Sequence, residues 1–474
     1  MSLADLQPLM LGLIVACAAL LLLLVDLLLK PSARPTLGWL TFAILTGTLA
    51  ASWLLPLDGE VQAGVWQGSL WTTFLARLML GAAALAVLGG LDYVARAWPY
   101  RQGEYYTLLL FSLAGMVLLP GCRELAAFVV CFELMGIPLY VLAAFGKNEN
   151  GRKPAEAGMK LLLIGAASTA ITFFGAALLV GLAGSSRFVE LVPYEPGPLH
   201  GVAALLLLAG MAFKIGVAPF HMWVPDTYEG APTPVVAFLS VAPKVAGFAA
   251  FASVFLVATP TLASTWRPML WLLVVITMVI GNLVAIPQKN LKRLMAFSGV
   301  AQVGYILLGF LGGVEFGAAM MLFYLAAYLF ANVGMFLVAH AIAEAGEGED
   351  IVHLNGLARR SPWLALALLM FLLSLAGIPF VAGFWAKFYV FTAAWRAGHG
   401  EMVLLGALFA TVALFYYLGV ARAAFVNKSE RSGPVPVKRP LALAIVVCLL
   451  GTVGLGAWPN PLVEAALAAV QGLY

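Results

Sequence analysis

Four lysines and one glutamate stand where their neighbours offer no water. Glu133 lies in CFELMGIPLY, Lys214 in GMAFKIGVAPF, Lys244 in VAFLSVAPKVAGFAAF and Lys387 in AGIPFVAGFWAKFYVF. Lys160 opens another apolar run, and Arg77 lies in a third. A charge at the centre of a bilayer costs at least ~2.5–3.5 kcal/mol on insertion scales, so it persists where it is paired, hydrated or used. Lysine suits proton work. Burial disfavours its charged form, and a nearby carboxylate favours it. A glutamate that approaches and withdraws would therefore load and unload a lysine, whereas arginine keeps its proton. Depth argues for such a role at Glu133, Lys244 and Lys387. Lys160 is only a few residues into its run, a position equally compatible with snorkelling to the interface. Arg77, Asp26 and Asp92 sit near run ends, where interfacial or structural pairing is the stronger reading.

A second set of polar residues accompanies them: His221, Ser240, Ser298, Gln302, Tyr305, Tyr324, Tyr328, Asn332 and His340. They would hold a water chain between lysines, or form interhelical hydrogen bonds worth about a kcal/mol or less each. A lone membrane histidine such as His340 is more often structural. His221 differs, because it follows Lys214 by seven residues and lies beside a helix break. Two spans carry such breaks. One runs through Gly216-Val217-Ala218-Pro219 towards His221, Pro225 and Asp226, the other through Gly377-Ile378-Pro379 and Gly383. Proline removes a helical donor, and freed carbonyls in a membrane must be satisfied by protein or water. Paired interrupted helices point to inverted repeats around a midplane ion site. Both breaks follow a Leu-Ala-Gly (208–210 and 375–377), a weak repeat signal.

The elements that position these residues follow from composition. Of 474 residues, 63% are hydrophobic and 10% charged. Soluble domains run about 45–50% apolar and about 25% charged, and disorder needs low hydrophobicity. The chain is therefore expected to be an all-α polytopic membrane protein. A span takes roughly 20 apolar residues, and the runs fall at 7–29, 37–56, 71–95, 105–121, 124–145, 157–183, 202–225, 232–257, 268–287, 292–314, 316–343, 362–395, 402–425 and 440–458. That makes about fourteen. The first is read as a span, not a removable signal peptide. After the last, Leu462, Ala465, Ala466, Ala469 and Val470 would let the tail lie along the membrane surface.

Loops taken alternately place 17 basic residues on one side, among them Lys30, Arg101, Lys147 and Arg360, against Arg123, Arg187, Arg267 and Arg396 on the other. By the positive-inside rule the first side is cytoplasmic and both termini face away from it. A net charge of +4 argues against nucleic acid as a partner. Cys17, Cys122, Cys131 and Cys448 form no Cys-x-x-Cys or Cys/His cluster, which disfavours a disulfide framework, zinc or an iron–sulfur centre. No flavin or nicotinamide motif occurs, and no cofactor is expected in this chain.

The segment FKIGVAPFHMWVPDTYEGAPTPVVAFLSVAPK (213–244) resembles the hallmark of the antiporter-like subunits of proton-pumping NADH:quinone oxidoreductase, respiratory complex I. Its VPDTYEGAPTPV is nearest to the N-type branch of that family. Further matches are FELMGIPLYVLAAF (132–145), NLKRLMAFSGVAQVGYILLG (290–309), LNGLARRSPWLALAL (354–368) and SLAGIPFVAGFWAKFYVF (374–391). They run from the fifth span to the twelfth; the first three spans are generic. The short tail fits that branch too.

The resemblance implies fourteen helices with two inverted five-helix repeats and discontinuous seventh and twelfth spans. The units would be 1–103, 104–260, 261–426 and 427–474. It also implies a glutamate of span five beside a lysine of span six, then lysines in spans seven, eight and twelve: Glu133, Lys160, Lys214, Lys244 and Lys387. His221, Gln302, Tyr305, Tyr324 and His340 would line the proton path. Some members carry histidine at the place of Gln302, which orders water but does not change charge near neutral pH. The implied function is proton translocation driven by electron transfer elsewhere. A proton would pass from the cytoplasmic side through Lys214, His221 and water to Lys244, then to Lys387 and out. Implied partners are other membrane-arm subunits, including further antiporter-like ones, in the bilayer of a bacterial inner membrane. The alternatives are a subunit of a multisubunit cation/proton antiporter or of a related membrane-bound hydrogenase or dehydrogenase.

Overall fold

The computed structural model describes residues 4–55, 57–61, 64–146, 151–191, 196–429 and 431–473. Among them, 12 helices are long and apolar enough to cross a membrane. Two shorter apolar helices, Thr36–Ala51 and Pro362–Ala376, take the second and twelfth places. The resulting order is consistent with the fourteen runs. Lys147, counted on the basic side of the membrane, lies outside the described residues.

In chain order the helices are α1 (Met10–Leu28), α2 (Thr36–Ala51), α3 (Leu70–Ala97), α4 (Gln102–Leu118), α5 (Leu125–Ala143) and α6 (Arg152–Ala183). The seventh segment is α7 (Pro198–Ile215) with α8 (Trp223–Gly230), and the eighth is α9 (Thr233–Leu239) with α10 (Ala242–Ala252). Then come α11 (Ala263–Ala285), α12 (Leu291–Leu311), α13 (Phe316–Glu344) and the single turn α14 (Leu357–Arg360). The twelfth segment is α15 (Pro362–Ala376) with α16 (Ala382–Arg396), followed by α17 (Gly400–Phe425), α18 (Arg439–Ala457) and the tail α19 (Asn460–Gln471). In the apolar 18-residue stretch of each segment, 100% of residues are buried in Thr233–Ala258 and 94% in α12 and α13, against 33% in α6, α17 and α18. The eighth, tenth and eleventh segments thus form the centre, and Lys244, Gln302, Tyr324 and Tyr328 sit on them.

The two expected breaks are built alike. Gly216 and Gly377 both take the left-handed conformation, at φ 80° and 87°, which glycine adopts without a Cβ penalty. Val217 N donates to the Ala212 carbonyl at 2.9 Å, and Ile378 N to the Leu373 carbonyl at 3.0 Å. Gly216 is therefore the counterpart of Gly377. The Leu-Ala-Gly match is corrected, because Gly210 lies inside α7, where its Cα faces Thr172 of α6.

A third break was not expected. The eighth segment opens at Ser240-Val241, just before Lys244. Pro243 has no N–H, so the Leu239 carbonyl loses its helical donor. Asn332 of α13 reaches this opening, its Nδ2 donating to Ser240 Oγ at 2.8 Å. The all-helical reading also missed a small antiparallel hairpin, β1 (Gly59–Val61) with β2 (Trp66–Gly68). Trp66 anchors it by donating from Nε1 to the Leu118 carbonyl at 2.7 Å.

The tail α19 runs from the end of α18 to the start of α3. Ala466, Ala469 and Val470 are buried against α3 and α13. Beyond it, the Leu473 carbonyl accepts from Arg123 Nη2 at 3.0 Å.

Candidate functional site

Helices α5 and α7 bring Glu133 and Lys214 into one neighbourhood without a direct ion pair among the described residues. Phe132, Gly136 and Tyr140 recur every four residues and share one face of α5. The Lys214 ammonium lies 4.4 Å from the Phe132 ring centroid and 5.8 Å from that of Tyr140. Gly136 makes the space, since a Cβ there would stand 2.6 Å from Lys214 Nζ. No hydrogen-bond partner for this Nζ occurs among the described residues. The Glu133 carboxylate is close enough to act on Lys214 electrostatically, and it accepts a 2.8 Å hydrogen bond from Thr169 Oγ1 of α6.

The expected pairing of Glu133 with Lys160 is not what forms. Thr169 and Lys160 are nine positions apart on α6, about 13.5 Å along the axis. Lys160 instead bonds Asp226 Oδ2 at 2.7 Å and Glu156 Oε1 at 2.6 Å, with its side chain 41% exposed. Asp226 also accepts from Arg293 Nη1 at 2.7 Å, which reaches Glu229 at 3.0 Å. Lys160 thus belongs to an ion-pair network joining α6, α8 and α12. The snorkelling geometry open to it by position is the one adopted.

Lys244 and Lys387 are buried and belong to two hydrogen-bonded sets that face each other across one turn of α13. Lys244 Nζ donates to Tyr328 Oη at 3.2 Å and to the Gly299 carbonyl at 3.3 Å. One turn back along α13, Tyr324 donates to Gln302 Oε1. Gln302 Nε2 donates to Tyr417 Oη at 3.0 Å and to the Leu375 carbonyl at 2.9 Å. Lys387 Nζ donates to that same carbonyl at 3.0 Å and to Ala376 O at 2.8 Å. These two carbonyls end α15, where the helix carries its partial negative charge. The Tyr305 ring lies 4.8 Å from Lys387 Nζ, and its hydroxyl accepts from Asn282 Nδ2 at 3.3 Å.

The two histidines lie away from this line. His221 stands in the seventh-segment break against Phe297, with ring centroids 6.2 Å apart, bonded to neither Lys214 nor Lys244. His340 is sixteen positions after Tyr324 on α13, about 24 Å away. Its Nε2 is 3.7 Å from Glu344 Oε2. It lines a polar cavity of about 310 Å³ together with Arg96, Glu229, Lys292 and Glu349. Sequence reasoning did not single out Tyr417, Asn282, Arg293 or Lys292. The first two are polar positions in otherwise ordinary apolar runs. The basic pair was visible only as part of the loop charge.

What the centre of this bundle holds is buried lysines and hydrogen-bonding side chains, set between interrupted helices. That defines the class: a membrane protein that moves ions rather than one that performs chemistry on a bound solute. Residues 122–413 match the family described as NADH:quinone oxidoreductase/Mrp antiporter, TM, and the chain belongs to that family. It is 40% identical to NADH-quinone oxidoreductase subunit N of Moorella thermoacetica, over 98% of each chain. It is 38% identical to subunit N of Desulfitobacterium hafniense, over 99% of each. A chain of respiratory complex I from Thermus thermophilus superimposes with a TM-score of 0.82 at 32% identity, over 97% of this chain and 99% of that one. A chain of the Mrp complex from a Dietzia species shares the fold, with a TM-score of 0.87 at 23% identity, over 100% of this chain and 98% of that one.

Proposed function

We propose that the chain is the proton-translocating, N-type antiporter-like subunit of an NADH:quinone oxidoreductase. It works in the membrane arm beside other subunits, further antiporter-like ones included. Electron transfer happens in other chains, and no cofactor is assigned to this one. The membrane is a bacterial inner membrane, with both termini on the non-cytoplasmic side. The repeats are 104–260 and 261–426, flanked by 1–103 and 427–474; the matched turns at Gly216 and Gly377 support that division.

The observation that carries the function is the buried row in which Lys244–Tyr328 stands one turn of α13 from Tyr324–Gln302, which shares the Leu375 carbonyl with Lys387. A hydroxyl accepts and donates at once, so the tyrosines can hand a proton on. Gln302 and the Leu375 carbonyl fix the geometry without changing charge. Upstream, the Lys160–Asp226 network guards the cytoplasmic approach, His340 and Glu344 line the cavity beside it, and His221 lies between that side and Lys214. Glu133 near Lys214 favours the ammonium, and its withdrawal favours release. Moving one charge against 100 mV takes about 2.3 kcal/mol, the equivalent of a pKa change of about 1.7, which the motion of one carboxylate in a low dielectric supplies.

The test is Glu133→Ala and Lys244→Ala against Asp58→Ala, a loop carboxylate, each in assembled complex. Quinone-reductase activity and proton uptake are read in proteoliposomes. Pumping should fall in the first two and hold in the third. Normal pumping in both membrane variants would remove the relay.

A further inference from the structure

The row of lysines leaves one intramembrane cation unused. Arg77 of α3 donates from Nε to Ser52 Oγ at 2.9 Å and from Nη2 to the Ser52 carbonyl at 2.7 Å, at the end of α2. Its guanidinium lies 4.4 Å from the Trp53 ring centroid. Among the described residues no carboxylate pairs with it, so its positive charge stays uncompensated. Trp53 is 61% exposed, as residues at the membrane–water boundary often are.

Beneath Arg77 a groove of about 550 Å³ opens between α2, α3, α13, α18 and α19. Its walls include Leu49, Leu85, Leu88, Phe330 and Val447. Thr46 also lines it but spends its hydroxyl on the Phe42 carbonyl at 2.9 Å, which leaves Arg77 as the charged group there. From Arg77 to Leu88 is eleven positions on α3, about 16 Å, half of a hydrocarbon core of about 30 Å. The groove is thus one leaflet deep, apolar along its length and cationic at its mouth.

We propose that this groove binds one anionic phospholipid, its phosphate on Arg77 and an acyl chain between α3, α13 and α18. The leaflet is the non-cytoplasmic one, a detail that rests on the proposed orientation. The volume lies within the roughly 300–1,000 Å³ of ligand sites. The charge selects an anionic head group over a zwitterionic one.

The experiment uses assembled complex in liposomes doped with phosphatidylglycerol or phosphatidylcholine, each carrying a photoactivatable diazirine at one chain end. Phosphatidylglycerol should label the α3 peptide near Leu85 about fivefold more, the effect of the ~1 kcal/mol that one basic residue adds towards anionic lipid. Arg77→Gln should erase that preference and Arg77→Lys should keep it. A Cβ at Gly81 meets nothing within 4 Å. Gly81→Leu should therefore fill the groove and stop labelling by both lipids, with Arg77 intact. Retained quinone-reductase activity shows that every variant is assembled. Equal labelling by the two lipids, a preference that survives Arg77→Gln, or an unlabelled groove covered by a neighbouring subunit would each overturn the proposal.

Discussion

Lys387 and Gln302 share one acceptor, the carbonyl of Leu375, with donor distances of 3.0 and 2.9 Å. A side chain that carries a proton and one that cannot are thereby locked to the same atom, at the broken end of α15.

The first prediction is that Lys387→Arg and Lys387→Met both lose pumping while assembly survives. Arginine keeps the charge but holds its proton too tightly to cycle. A purely structural counter-charge would tolerate arginine. Proton uptake by Lys387→Arg at several pH values decides, and wild-type pumping would refute the carrier role.

Gln302→Leu should both destabilise and uncouple. It strips the acceptor from the buried Tyr324 hydroxyl, at about 1–3 kcal/mol for a group left unsatisfied, while Tyr417 keeps its bond to Ser298. We expect a lower thermal midpoint for the subunit and fewer protons moved per electron pair. An unchanged stoichiometry would mean that the Gln302 bridge is scaffolding.

Two glycines give access to the lysines without deleting them. A Cβ at position 299 would lie 2.9 Å from Lys244 Nζ, and one at position 136 would lie 2.6 Å from Lys214 Nζ. In both cases the neighbour is the end of a flexible chain, which can move. Gly299→Ala and Gly136→Ala should therefore assemble well and pump poorly. Pumping at the wild-type rate in both would show that these lysine positions are not critical.

The partner of Glu133 is open to a double-mutant cycle. Pumping losses from Glu133→Gln and Lys214→Met should be strongly non-additive. Those from Glu133→Gln and Lys160→Met should add. The half-exposed Lys160 network should cost less than about 1 kcal/mol to break. Additivity in the first cycle would dissolve the pair.

Orientation can be checked at two described loop positions. Ser185→Cys should react with an impermeant thiol reagent in intact cells, and Ser429→Cys only after permeabilisation. The reverse pattern would invert the topology.

Much of this architecture could be read from hydropathy, because a bilayer demands long apolar runs and penalises charge. The Gly216 and Gly377 breaks announced themselves through the prolines that follow. The break at Ser240-Val241 did not, although Pro243 stood in plain view. A single proline in an apolar run kinks a helix as readily as it opens one. The Glu133 partner was misplaced for a geometric reason: which lysine is near depends on axial height along α6 and α7, which a linear string does not carry. Tyr417 was invisible because a tyrosine in a membrane helix looks the same whether it packs or relays.

The bond from Arg123 to the Leu473 carbonyl joins groups 350 residues apart. Leu473 leaves the ribosome long after the fifth helix has entered the bilayer. Until then the Arg123 guanidinium has Gln67 and the carbonyls of Pro120 and Cys122 for company. The clasp between the α4–α5 corner and the segment after α19 can close only once Leu473 has been made and fourteen segments precede it in the bilayer. The last bond of the Arg123 guanidinium is therefore late in the order of assembly, and the corner is complete only after the segments between have packed.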